Sequence, residues 1–105
     1  MAAKKKQVPF GAIVFWRPRD TWYNLPEKKR TEYRRKQHAI LERWVKNGVK
    51  WLGTYDCHFS SGWSMMACME YTDLDMLQKF VRELNAIGRN RYFLTESHIG
   101  LRVAP

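Results

Sequence analysis

Residues 49–71 read Val49-Lys50-Trp51-Leu52-Gly53-Thr54-Tyr55-Asp56-Cys57-His58-Phe59, then Ser60-Ser61-Gly62, then Trp63-Ser64-Met65-Met66-Ala67-Cys68-Met69-Glu70-Tyr71. The first run alternates Val49, Trp51, Gly53, Tyr55, Cys57 and Phe59 against Lys50, Leu52, Thr54, Asp56 and His58. In the second, Trp63, Met65, Ala67, Met69 and Tyr71 alternate with Ser64, Met66, Cys68 and Glu70. A period of two in both runs, joined by a short polar turn containing glycine, predicts a hairpin with one aromatic and one polar face.

On the C-terminal side, Thr72 is suited to cap a helix, with Asp75 three residues on. Leu74, Leu77, Phe80, Val81, Leu84 and Ile87 form its apolar stripe, and Gly88 ends it. A last strand is predicted from about Phe93 to Val103, where Glu96, His98 and Arg102 alternate with Ser97, Ile99, Leu101 and Val103. On the N-terminal side, Gln7 to Arg17 is apolar at both odd and even positions, the mark of a strand buried on both sides. Pro18 closes it, and Arg19 to Leu25 reads as a connecting loop. Asn24-Leu25-Pro26-Glu27 has the form of a capping box with a first-turn proline, which predicts a helix from about Leu25 to Lys46. Its inward stripe is Tyr33, Gln37, Ile40, Leu41, Trp44 and Val45, and Asn47-Gly48 is its stop.

The order is therefore βαββαβ. Right-handed crossovers turn it into an α+β sandwich, an antiparallel sheet of order 4-1-3-2 with both helices on one face. The aromatic face meets the helices. The other face then carries Asp56, His58, Glu70, Glu96, His98 and Arg102 beside Leu52, Met66 and Cys68. Such a mixed surface calls for water or a partner, and a second copy of the same sheet is the economical choice because a twofold interface needs only self-complementary patches.

Composition bounds the rest. A chain of 12.6 kDa with 45% hydrophobic residues builds one small core, so we read 7–105 as a single domain behind a basic tail at 1–6. Cys57 and Cys68 fall on opposite faces of the hairpin, which argues against a disulfide and suits a cytoplasmic protein. The apolar run Val8 to Trp16 is short and ends at Arg17-Pro18-Arg19, supporting neither a signal peptide nor a membrane span. Net charge is +9, and its placement is uneven: residues 1–50 hold 14 Lys and Arg against 4 Asp and Glu, residues 51–105 hold 5 against 6. The basic residues Lys28, Lys29, Arg30, Arg34, Arg35 and Lys36 mark the first helix as a docking face for an acidic partner, or simply as a solvated one.

With this order in hand, the chain resembles the ferredoxin-like dimeric α+β barrel superfamily, in which two such sheets associate face to face. Glu70-Tyr71-Thr72-Asp73-Leu74-Asp75 through Val81 resembles the strand-to-second-helix junction of these proteins. Thr21-Trp22-Tyr23-Asn24-Leu25-Pro26-Glu27 is similar to the same junction in darcynin-like proteins, whose function is unknown. The resemblance implies a homodimer with a pocket between helices and sheet. It also implies cofactor-independent oxygenation or isomerisation as the chemistry to consider. The Asn, Trp and His trio of haem-degrading members has no counterpart: Trp63 is in the third strand, but the second helix holds no histidine. No cofactor is assigned.

Trp16, Tyr33, Gln37, His38, Trp51, Tyr55, Trp63 and Met65 are the candidate ligand-binding residues, a set of planar rings with one amide, fit for a small planar or aromatic molecule. The same rings would equally fill a core. Asp56 and His58, two residues apart on one strand face, are the weak candidates for acid–base catalysis. His58 and His98 belong to the two edge strands, roughly 14 Å apart at three strand spacings, whereas two ligands of one zinc lie within roughly 4 Å of each other. No metal site is assigned. An RNA-binding module shares this topology and is the competing class. Phe15 could stack a base, but the third strand lacks the basic residue before Gly62 and the second aromatic that such modules carry.

Overall fold

The computed structural model describes residues 9–60 and 62–103; the tail at 1–6 lies outside them. The described residues form β1 (Phe10–Pro18), α1 (Asp20–Tyr23), α2 (Glu27–Lys46), β2 (Lys50–Asp56), β3 (Met65–Tyr71), α3 (Leu74–Ala86), α4 (Arg89–Tyr92) and β4 (Phe93–Leu101). The sheet is antiparallel with order β2-β3-β1-β4, the predicted order written from its other edge. Both central strands are apolar on the inward face: Phe10, Ala12 and Val14 of β1 stand opposite Tyr71, Met69 and Ala67 of β3. Against these pack Ile40, Leu41 and Trp44 of α2 and Leu77, Phe80 and Leu84 of α3, so both long helices lie on one face.

Four local readings are corrected. The stretch Arg19–Leu25 is not all loop: Asp20–Tyr23 makes one helical turn with Trp22 buried. Asn24 ends that turn instead of capping the next helix, and α2 begins after Pro26 without a side-chain cap. Asp73, not Thr72, caps α3, its carboxylate accepting from the Asp75 amide at 2.8 Å. Leu74 and Val45, placed in the inward stripes, are exposed.

The largest departure is in β2. Its register against β3 shifts between Trp51 and Gly53, so Trp51 stands opposite Met69 while Gly53 and Tyr55 stand opposite Cys68 and Met66. This bulge moves every later residue of the strand to the other face. Trp51 and Thr54 face the helices; Tyr55 goes to the open face. Its ring lies over Gly53, where a Cβ would meet the phenol oxygen at 2.5 Å. Leu52, at the irregularity, is exposed.

Candidate functional site

Between the sheet and the two long helices lies a cavity of about 360 Å³. Its floor is made by small or slender residues of the central strands, Ala12, Val14 and Ala67, which leave a gap where larger side chains would have closed the core. Trp16 and Trp51 form walls from the sheet, and Leu41, Leu77, Phe80 and Leu84 close it from the helices. The Trp51 indole is fixed by donating from Nε1 to Thr54 Oγ1 at 3.0 Å. Trp44 backs the wall, stacked on Phe80 and donating its indole N–H to Glu83, which also pairs with Arg43 and so ties α2 to α3.

The polar groups of the lining are unevenly placed. Arg34, Gln37 and His38 come from α2, Arg89 from the start of α4, and the hydroxyls of Thr54, Thr95 and Ser97 from the edge strands. No aspartate or glutamate lines the cavity among the described residues. Arg34 lies over the Trp22 ring at 5.2 Å. His38 is exposed at the mouth, its Nε2 2.8 Å from Glu42. Arg89 is half-buried, its Nε is shut off from solvent without a hydrogen-bond partner, and it forms none of the ion pairs found among the described residues. Burial pulls its pKa down, against the influence of Tyr33 and Tyr71.

Behind Arg89 is an aromatic knot. Trp22, Tyr33, Tyr92 and Phe93 meet with ring centroids 4.8–6.0 Å apart, mostly edge to face. Backbone and side-chain bonds lock it: the Arg19 amide donates to the Tyr92 carbonyl at 2.8 Å, and the Thr21 hydroxyl to the Arg91 carbonyl. Tyr33 is 4% exposed, and its hydroxyl is buried with no partner. Burial pushes that phenol up to about 12, with the Arg89 charge opposing the shift. Tyr71 is raised for the same reason, and its hydroxyl donates to Met69 Sδ at 2.8 Å.

The structure therefore gathers Trp16, Gln37, His38 and Trp51 at one cavity. Tyr33 stands behind its wall, and Met65, on the same face opposite Trp16, falls outside the lining. Tyr55 and Trp63 belong to the opposite side: Tyr55 by the bulge, and Trp63, just ahead of β3, by packing against Phe15 and under Arg17. Asp56 and His58 pair with each other in the open, away from the cavity; the imidazole beside Asp56 holds its carboxyl below the usual range. Sequence reading missed Arg34, Arg89, Thr54, Thr95 and Ser97. Arg34 is exposed, as are Lys28, Lys29, Arg35 and Lys36 of the basic set on α2, while Arg30 is half-buried; Arg34 also touches the cavity. The signal for Thr54 was Gly53, since glycine inside a strand often marks a bulge.

The open face carries Ile13, Phe15, Met66 and Cys68 together with Glu70, Glu96, His98 and Arg102. Phe15 meets the His98 ring edge-on, His98 pairs with Glu96 at 3.0 Å, and Arg102 reaches across β1 to Glu70 at 3.0 Å. No helix among the described residues is long and apolar enough to cross a membrane.

These features define a ferredoxin-like α+β protein with an internal, aromatic-walled cavity. No protein-family model matches the chain, and neither does any curated protein. Solved structures do. A mutant chlorite dismutase from Candidatus Nitrospira defluvii superposes with a TM-score of 0.81 at 15% identity, covering 96% of this chain and 43% of that one. The same protein in complex with imidazole gives 0.80 at 15%, with 96% and 42% covered. A novel heme-binding protein from Thermus thermophilus gives 0.72 at 13%, with 91% and 40% covered. The chain thus spans about two-fifths of the length of these neighbours, and at such identities the likeness is one of fold. It agrees with the superfamily resemblance read from the sequence and does not bear on the darcynin-like one.

Proposed function

We propose that this protein is a cytoplasmic homodimer that binds a small planar or aromatic molecule in the cavity between helices and sheet. The observation that carries the reading is the cavity itself: Trp16 and Trp51 stand as walls around space that Ala12 and Ala67 leave unfilled, with a few hydrogen-bonding groups in the lining. Small-molecule sites have this make-up, apolar walls with a few placed polar groups. That a fold neighbour is a heme-binding protein supports a flat organic ligand in this architecture. The donor set does not fit a haem iron. Of the lining residues able to act as axial ligands, Tyr71 and Met69 are bonded to each other and His38 stands at the mouth, engaged by Glu42. No hydrogen bond among the described residues joins a lining hydroxyl to an imidazole or carboxylate, so the lining positions a ligand more readily than it attacks one. Any turnover would rest on the ligand's own reactivity, as in the cofactor-independent oxygenation or isomerisation implied by the superfamily.

Titration with anilinonaphthalene sulfonate, followed by tryptophan fluorescence and calorimetry, tests the cavity. Saturable one-to-one binding is expected, weakened about tenfold or more in Trp51→Ala through loss of ring contact. Unchanged affinity in that variant would place the site elsewhere.

The homodimer draws support from Ile13, Phe15 and Met66 exposed or half-exposed on one sheet face beside charges of both signs. Light scattering on Phe15→Glu should show a monomer where the parent is a dimer. The RNA-binding reading uses the same face, where Trp63 and His98 flank Phe15. Glu70 and Glu96 beside them oppose a phosphate backbone. Retained nucleic acid, lost with Phe15→Ala, would favour it. A third reading docks the exposed Lys28, Lys29, Arg34, Arg35 and Lys36 of α2, with the half-buried Arg30, on an acidic partner; reversing Lys28, Lys29, Arg35 and Lys36, which do not line the cavity, would then abolish partner capture and leave the cavity unaffected.

A further inference from the structure

Arg89 poses a physical problem that the fold itself does not solve. Taking a guanidinium partly out of water costs free energy unless a counter-charge or hydrogen-bond acceptors replace the water. Arg89 lines the cavity, its Nε has no acceptor, no carboxylate lines the cavity with it, and it joins no ion pair among the described residues. Arg34, also in the lining, is exposed and lies over the Trp22 ring. Next to Arg89, the Tyr33 hydroxyl is a second buried donor without an acceptor, on a side chain held in place by Trp22, Tyr92 and Phe93. Gly88, at φ 105°, lets the chain turn sharply from α3 so that Arg89 opens α4 at the cavity. An unsatisfied buried donor and an uncompensated positive charge thus stand at the wall of a ring-lined space.

We infer that Arg89 receives the carboxylate of the cavity's occupant, which is therefore a planar aromatic acid. This rests on the cavity being a binding site, as proposed above. A carboxylate accepts from a guanidinium in charge-assisted bonds, and its charge offsets that of Arg89. The aromatic body would lie between Trp16 and Trp51, over the floor of Ala12, Val14 and Ala67.

The test is calorimetric titration with naphthalene-2-carboxylate and with its neutral isostere, naphthalene-2-carboxamide. The acid is expected to bind about tenfold or more tightly than the amide. In Arg89→Gln the two should bind alike, and in Arg89→Lys part of the preference should return. Arg82→Gln, on the exposed side of α3, should keep the full preference. Equal binding of acid and amide to the parent protein, or a preference that survives Arg89→Gln, would overturn the inference while leaving the cavity reading intact. Binding of neither compound would overturn both. Should Arg89→Gln fail to fold by circular dichroism, the parent's acid-to-amide ratio and the Arg89→Lys variant decide the matter.

Discussion

Trp51 and Tyr55 lie on opposite faces of one strand, although strict alternation would put both on the same face. The bulge at Leu52–Gly53 separates them, sending the indole to the cavity and the phenol to the open face, where its ring covers Gly53. A methyl at position 53 would meet that ring at 2.5–2.9 Å. Gly53→Ala should therefore displace Tyr55 at a cost under about 1 kcal/mol, because the ring is exposed and can move. Chemical denaturation should show the cost vanishing when Tyr55→Ala is added; a cost that persists would mean the backbone, not the ring, resists the methyl.

Gly48 and Gly88 both have positive φ, at 114° and 105°. Either residue changed to alanine takes on backbone strain of about 1 kcal/mol. At Gly88 the new Cβ would also come within 2.8 Å of the Tyr92 ring, whereas at Gly48 the nearest atom, Met76 Cε, is 3.7 Å away. Gly88→Ala is expected to be the more destabilising by about 1 kcal/mol or more in urea unfolding. Equal losses would show that the aromatic knot yields freely.

Glu83 joins α2 to α3 by accepting from the Trp44 indole and pairing with Arg43. Glu83→Ala leaves the half-buried indole N–H without its acceptor, so a loss of about 1–2 kcal/mol is expected. Trp44 fluorescence should shift as its surroundings change; a silent substitution would show that water replaces the carboxylate.

Tyr33 carries a buried hydroxyl with no acceptor, so Tyr33→Phe should leave the unliganded protein as stable as the parent, or up to about 1 kcal/mol more stable. A loss of more than that would reveal a partner for the hydroxyl.

The same phenol governs behaviour at high pH. Its folded pKa is raised, to about 12, while the unfolded chain titrates near its ordinary value of about 10. The stabilisation is therefore complete below pH of about 10 and is lost as pH rises toward about 12, where the unfolded state has given up its proton first. Stability measured across this window should fall less steeply in Tyr33→Phe. Tyr71, also raised by burial, supplies part of the remaining slope.

The legible part of the site was the part that obeys periodicity. Trp16 alternates with its strand neighbours, and Gln37 and His38 sit on or beside the inward stripe of α2; all three reach the cavity. Trp51 does so because it precedes the bulge. Tyr55 comes after it, and one extra residue reverses everything downstream. Arg89 was out of reach for another reason. Nothing in its neighbours separates a surface arginine from a buried one, and its setting depends on Tyr33, Tyr71 and Phe93, none of them beside it in the chain.

The sequence by itself determined the order of the four strands and two long helices, the antiparallel sheet with its central and edge strands, the helix-facing residues of β1 and β3, and the excess of positive charge in the first half. These follow from local periodicity and handed crossovers, which need no knowledge of distant contacts. Only the tertiary structure decided that the tryptophans surround space instead of filling it, and that Arg89 stands half-buried at the cavity. Both depend on how the elements pack: Ala12 stands opposite Met69 and Ala67 opposite Val14 on adjacent strands, the small side chains leave space under the helices, and no local pattern records it.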